Sequence, residues 1–443
     1  MNSDNVPIIV GAAQITQRWS DDGPHLDALG LMEQVARAAI ADTGARGCQE
    51  TIDTLAVINT ITWSYRDAPG ELSRRLGINP QQRLYTAIGG NMPQMLVNRY
   101  AARLEAGHAS MVLLCGAEAG YSARRVASGL DLGWPPFTEP ERIDGDMRLG
   151  SSDYEIRYEL TLPTFIYPFF ETALRASSGR RPDEHAAFLG RLCSRMSRVA
   201  ASHPNAWSRE ELTAEEIATV TPDNRLVGYP YTKRMNANIS VDQGAALLLT
   251  TVGQARRLGI DEERWVYPMG GADLFDVWEF TRRPRLDESP AIRRAVQLAL
   301  AQAGLELPAI DWFDFYSCFP CAVQIGARMA GLDIDDPRGP TLTGGLPYFG
   351  GPGNNYSMHA IATAVDKIRK QPDGHAMITA LGWYITKHSV GVYGRRPPAV
   401  AWNERDSGGA QAEIDAASLP PPLEQCDGRL TVDAFMIRHR RSG

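Results

Sequence analysis

Residues 101–116 read AARLEAGHASMVLLCG, and residues 366–382 read DKIRKQPDGHAMITALG. In both, a helical stretch ends in Gly-His-Ala (Gly107-His108-Ala109 and Gly374-His375-Ala376) and runs into an apolar strand. The echo continues upstream. ARAAIADTG, ending at Gly44, leads through Ile52-Asp53 into TLAVINT, and QLALAQAG, ending at Gly304, leads through Ile310-Asp311 into WFDFYSC. The matched pairs lie roughly 260 residues apart each time, so the chain reads as one α/β unit used twice. A duplicated unit of this kind places its active site where the copies meet.

The chain has 443 residues, 44% of them hydrophobic, enough for two cores or one large composite one. Its net charge of −7 and its lack of any basic run argue against nucleic acid as a partner. No apolar run reaches the length of a membrane span, and MNSDNVPIIVGAAQ lacks the regions of a signal peptide. The six cysteines fall mostly within strand or helix patterns and read as buried thiols of a reducing compartment, so a soluble cytoplasmic protein is expected.

Strand and helix patterns alternate cleanly at first: strands at 6–15, 55–59 and 84–88, a helix from about 93 to 106, then the buried strand MVLLCGAE. From Gly120 to Met235 the periodicity weakens and Pro, Arg and aromatic residues accumulate, the mark of a long insertion. Residues 1–119 and 236–258 therefore form the first half, 120–235 the insertion and 259–397 the second half. Residues 398–443 form a polar linker and an alternating segment, GRLTVDAFMIRHRRSG, too short to fold alone.

In each half a glycine pair precedes a helix start. The first is Gly89-Gly90-Asn91-Met92-Pro93, with Asn91 as N-cap candidate and Pro93 suited to the first turn. The second is Gly350-Gly351-Pro352-Gly353-Asn354-Asn355. Helix N-termini offer free N–H groups to oxyanions or phosphates, and glycine lets a ligand approach the backbone. Two ordinary strand-to-helix turns would look the same singly. Their matching places in two repeats favour one shared pocket, with Gly89, Gly90, Asn91, Gly351 and Asn355 as its substrate-binding residues.

Several longer runs carry a resemblance: ASMVLLCGAEA, PYTKRMNANISVDQGAALLLT, DFYSCFP, GGPGNNYSMHAIA and ALGWYITKHSVGVYG. Together with the duplicated order of elements, they resemble the thiolase superfamily, specifically thiolase-like proteins of the acetyl-CoA acetyltransferase type, over nearly all of residues 6–397. The resemblance implies a five-layered αβαβα fold, an acyl-CoA ligand and Claisen-type carbon–carbon bond chemistry. It also implies that the tail begins a C-terminal β extension, and that homodimerisation through the core is common, with a monomer as the alternative.

The family's catalytic residues do not carry over. Its nucleophilic cysteine position falls at Gly90, its water-holding motif at Tyr316-Ser317, its histidine near Ser357, and its second cysteine at about Ala380. Thiolysis through an acyl-enzyme needs a thiolate, and neither cysteine is present. His359, two residues beyond Ser357, is the candidate base for an acyl-CoA α-proton, and Tyr316 the candidate donor to an enolate or carbonyl oxygen. Each has a structural alternative: a histidine hydrogen-bonded within its loop, a tyrosine closing the core. Lys233 and Arg234 are candidates for CoA phosphates, although an exposed charged pair is also an ordinary surface feature.

Cys318-Phe319-Pro320-Cys321 has the spacing of a thioredoxin-type redox motif, but the surrounding chain does not read as that small fold. No ligand spacing calls for a metal, and no resident cofactor is expected beyond acyl-CoA as substrate or ligand. Three functions stay open: an acyltransferase acting without a cysteine acyl-enzyme, a retro-aldol lyase on a β-hydroxyacyl-CoA with an OB-fold partner, and a non-catalytic acyl-CoA-binding subunit.

Overall fold

The computed structural model describes residues 3–20, 23–405 and 408–439. The strands are β1 (Pro7–Thr16), β2 (Thr54–Val57), β3 (Gln82–Tyr85), β4 (Met111–Ala119), β5 (Leu226–Gly228), β6 (Tyr231–Thr232), β7 (Asp242–Thr251), β8 (Tyr267–Phe275), β9 (Trp312–Asp314), β10 (Ala376–Gly382) and β11 (Lys387–Gly394). One sheet runs β1-β7-β4-β2-β3 and the other β8-β11-β10-β9. The repeat is visible in this order: β1, β7, β4 and β2 correspond to β8, β11, β10 and β9. In both sheets the inner pair is antiparallel (β4 with β7, β10 with β11), and the next strand joins in parallel (β2 on β4, β9 on β10).

Helices Met92–Glu105 and Tyr356–Lys370 pack against both sheets. Their buried side chains, among them Leu96, Tyr100, Met358 and Ile361, meet Ile9, Leu247 and Ile378 from the two sheets in one core. Such strands are apolar on both faces because both faces are covered. Helix Ala28–Asp42 covers the outer face of the first sheet and helix Pro290–Ala303 that of the second, which completes the five layers.

The sequence patterns depart from the ladders at two places that matter. The strand expected over WFDFYSC pairs only through Asp314. The Phe315 N–H turns to Pro340 O and the Tyr316 N–H to Thr379 Oγ1, so the chain leaves the sheet there. The strand expected at 84–88 runs Gln82–Tyr85, and another segment meets the end of its outer edge. Asp144 pairs with Thr86 and exchanges main-chain hydrogen bonds with Tyr85 and Ala87. That segment is anchored by the Trp63 indole, which donates to Pro135 O at 3.0 Å.

In the insertion, helices Pro163–Ser178 and Pro182–Ser202 pack on the second half. After helix Gly408–Ala416 the chain is extended and lies along that insertion, where Phe435 N–H and C=O both bond the Thr172 hydroxyl. The β pattern expected for the tail yields one isolated bridge, Gly228 to Arg438, among the described residues. Residues 440–443 of that segment lie outside them.

Candidate active site

The two glycine loops abut directly. Gly89 N–H donates to Asn354 Oδ1 at 2.9 Å, while Asn354 Nδ2 donates to Asn59 O at 2.7 Å. Ser357 Oγ donates to Gly90 O at 3.1 Å. One asparagine and one serine of the second half thus hold the first half's loop. Gly351 and Asn355 stand apart from this link. Gly351 N–H bonds Asn238 O, and Asn355 Nδ2 bonds Gly116 O at 2.6 Å.

Tyr316 fills the place where a side chain at Gly90 would project. A Cβ built on Gly90 would lie 2.1 Å from Tyr316 Oη and 2.6 Å from Leu381 O. Tyr316 reaches this point because the chain leaves β9 two residues earlier, and Tyr356 fixes its ring edge-on, 5.5 Å between centroids. Burial raises its phenol pKa, so it is a neutral donor at ordinary pH. Asn91 precedes the helix but does not cap it. Its backbone is already helical, and its buried Oδ1 faces Gly89 and Gly382 without a partner.

Lys387, which sequence reasoning passed over, completes the cluster. It is 2% exposed, and its ammonium donates to Ile88 O, beside Gly89. Burial, opposed by Asp146, pulls its pKa down to about 8. A signal for it was present: the chain has four lysines against 41 arginines. A chain that draws its surface charge from arginine and still keeps a lysine inside a strand pattern marks that position.

His359 lies in the first turn of its helix, as expected, but is fully buried and does not face a pocket. Its Nδ1 pairs with Gln14 Oε1 at 3.1 Å, and its ring packs against Phe349. Burial pulls its pKa down to about 3, so the imidazole is neutral. His388 bonds the buried Asp276 carboxylate at 3.0 Å, a structural pairing. In the Cys-Phe-Pro-Cys stretch, burial pushes the Cys318 thiol up to about 12 and raises that of Cys321 well above the ordinary range, the opposite of an activated redox pair.

Lys233 and Arg234 line a cleft of about 730 Å³ between the insertion and the core, together with Arg124, Trp207, Asn236 and Tyr348. Lys233 is exposed, whereas Arg234 is partly engaged with Glu216 O. The cleft floor is tied to the Tyr316 strand end: Ala237 N–H bonds Cys318 O, and Leu346 N–H bonds Ser317 Oγ at 3.1 Å. Among the described residues no group of three or more His, Cys, Asp or Glu side chains is placed to hold a metal ion, and no helix is long and apolar enough to cross a membrane.

No protein-family model and no curated protein matches the chain. Solved structures do. A monomeric SCP2-thiolase-like protein (type 1) from Mycobacterium smegmatis aligns with a TM-score of 0.85 at 35% identity, covering 99% of this chain and 88% of that one. An Ltp2–ChsH2(DUF35) aldolase aligns at 0.65 with 19% identity, covering 88% of this chain and 98% of that one. The dimeric peroxisomal thiolase of Saccharomyces cerevisiae aligns at 0.63 with 14% identity, covering 89% and 99%. The last two share the fold. With the duplicated five-layered core and 35% identity over almost its whole length to the first, this chain belongs to the SCP2-thiolase-like proteins of the thiolase superfamily.

Proposed function

We propose that the chain binds an acyl-CoA in the Lys233–Arg234 cleft and does not run thiolysis through a cysteine acyl-enzyme. The observation that carries this reading is the Tyr316 hydroxyl and Leu381 carbonyl occupying the volume in front of Gly90. The cleft, linked to the Tyr316 segment through Ala237 and Cys318, presents cationic and aromatic side chains suited to a nucleotide with phosphates. Acyl transfer with His359 as base receives no support from a neutral, enclosed imidazole held by Gln14. Of the readings open from sequence, acyl-CoA binding fits this geometry best.

A second reading, retro-aldol cleavage of a β-hydroxyacyl-CoA, is favoured by one feature. The Tyr316 hydroxyl is a neutral donor able to stabilise an enolate oxygen. An OB-fold partner belongs to that reading, prompted by the shared fold with the aldolase complex.

Calorimetric titration with CoA and acetyl-CoA tests the first reading. Saturable binding is expected, and the double charge reversal Lys233→Glu/Arg234→Glu is expected to weaken it by about tenfold or more. Unchanged affinity in that variant would remove the cleft from the site. Incubation with a β-hydroxyacyl-CoA, with carbonyl products and free acyl-CoA followed, tests the second: cleavage abolished by Tyr316→Phe would establish the lyase.

A further inference from the structure

Lys387 sits where the fold leaves unusual room for an amine. Two glycines make that room: a Cβ on Gly89 would lie 2.9 Å from Lys387 Nζ, and one on Gly382 would lie 2.9 Å from its Cε. The same two virtual atoms lie 2.5 Å from Asn91 Oδ1, which is buried and unpartnered. Trp383 closes the spot from outside, its buried indole Nε1 also unpartnered and its backbone at φ 56°. Over Trp383 runs the strap 145–151. Gly150 presses on the ring, Arg148 stacks on Trp278 at 3.7 Å, and the Trp278 indole donates to Leu149 O at 2.7 Å.

A purely structural cation in this chain would be arginine, by 41 to four. The Lys387 ammonium has three donors and one hydrogen-bonded acceptor, Ile88 O. Its facing charges are those of the strap: Asp146 favours the ammonium and Arg148 opposes it, and burial outweighs Asp146. Beside it the unused Trp383 N–H can donate to a carbonyl oxygen, and the free Asn91 Oδ1 can accept a proton from the amine.

We propose that Lys387 Nζ is an acyl-accepting amine, the group that takes an acyl chain from a thioester at this site. The Nζ lone pair attacks the thioester carbonyl, an N–C bond forms and the C–S bond breaks. The amine proton passes to the departing thiolate, leaving an Nε-acyl-lysine and a free thiol. Unlike a cysteine thioester, the amide is stable, so the protein accepts one acyl group per chain and stores it. The natural donor rests on the acyl-CoA reading above; the reactivity of the amine does not.

The test uses the full chain, acetyl-CoA and, separately, S-acetyl-N-acetylcysteamine, a thioester without the nucleotide, with peptide mapping of the four lysines. Acetylation of Lys387 is expected with both and is absent in Lys387→Arg and Lys387→Met. With its pKa near 8, its rate rises about tenfold from pH 7 to 9 and then levels, whereas an ordinary lysine rises about a hundredfold. Trp278→Ala loosens the strap and is expected to speed labelling. If Lys387 stays unmodified by the small thioester in both the wild type and Trp278→Ala while Lys370 is acetylated, the proposal is overturned. Labelling by the small thioester but not by acetyl-CoA keeps the amine and overturns the acyl-CoA reading.

Discussion

Replacing Gly90 by alanine adds one methyl group at the most constrained point of the site. That methyl would stand 2.1 Å from Tyr316 Oη, 2.6 Å from its Cζ and 2.6 Å from Leu381 O. Leu381 O is a main-chain atom of β10, held in register with His388 of β11, and gives way less readily than a side chain. Tyr316 must therefore move, against Tyr356 packed edge-on to it. Overpacking of a dense interior costs about 1–3 kcal/mol, and contact with a main-chain atom puts Gly90→Ala near the top of that range. Tyr316→Ala alone costs about 3–5 kcal/mol, mainly as a cavity. In the double variant the methyl enters part of that cavity, so the two effects fall short of their sum by about 2 kcal/mol. Urea unfolding of the four proteins, compared at constant m, measures this coupling. Additivity within about 0.5 kcal/mol, or a Gly90→Ala protein as stable as wild type, would refute the claim that Tyr316 fills the volume in front of Gly90. The chemical corollary is that Gly90→Cys alone gains no acyl adduct, because its thiol has no room.

Acid stability depends on two buried histidines. His359 and His203 are held down to about 3 and about 4, chiefly by burial. Unfolded, both titrate near 6.5, so the unfolded chain takes up protons that the folded one refuses. Their contribution is whole above that value and is lost as pH falls. His203→Gln/His359→Gln should lose less stability between pH 7 and 5 than wild type, by up to about 2 kcal/mol per histidine; an equal loss of unfolding free energy in the two proteins, from urea titrations at the two pH values, would contradict it. Buried Glu118, raised to about 7, works in the opposite direction and stays in both proteins. Because Asp144 pairs at the end of the β3 edge, the chain is expected to sediment as a monomer at micromolar concentration, and a stable dimer would count against that contact closing the edge. Iodoacetamide should modify exposed Cys426 before half-buried Cys318 and leave buried Cys321 untouched in the native protein; early loss of Cys318 or Cys321 would reopen the redox reading.

The repeat was legible because it is written in periodicity. Two helices ending at Gly44 and Gly304, and two Gly-His-Ala entries into apolar strands, need no tertiary information, since helix and strand patterns are local consequences of which faces are buried. The same locality sets what could be read around the site. The glycine pair Gly89-Gly90 lies just before a helix start and His359 lies in a first helical turn, as their patterns predict, whereas Tyr316 lies two residues beyond the end of its strand. Where their side chains point was not legible. His359 was expected toward a pocket, but its side of the helix meets Gln14 of β1, 345 residues away in sequence. Asn91 looked like an N-cap, but its side chain is drawn to Gly89 and Gly382. Lys387 and Asn354 were missed because each acts through a partner hundreds of residues distant, Ile88 for one and Gly89 for the other.

By itself, then, the sequence determined the duplicated α/β architecture and the absence of cysteine from the Gly90 loop. Only the tertiary structure decided what stands in front of Gly90. A residue's type and local period set its backbone conformation, but the volume in front of Gly90, in the first half, is filled by Leu381 of β10 and by Tyr316 just past β9, both in the second half. They meet Gly90 only when the two halves pack.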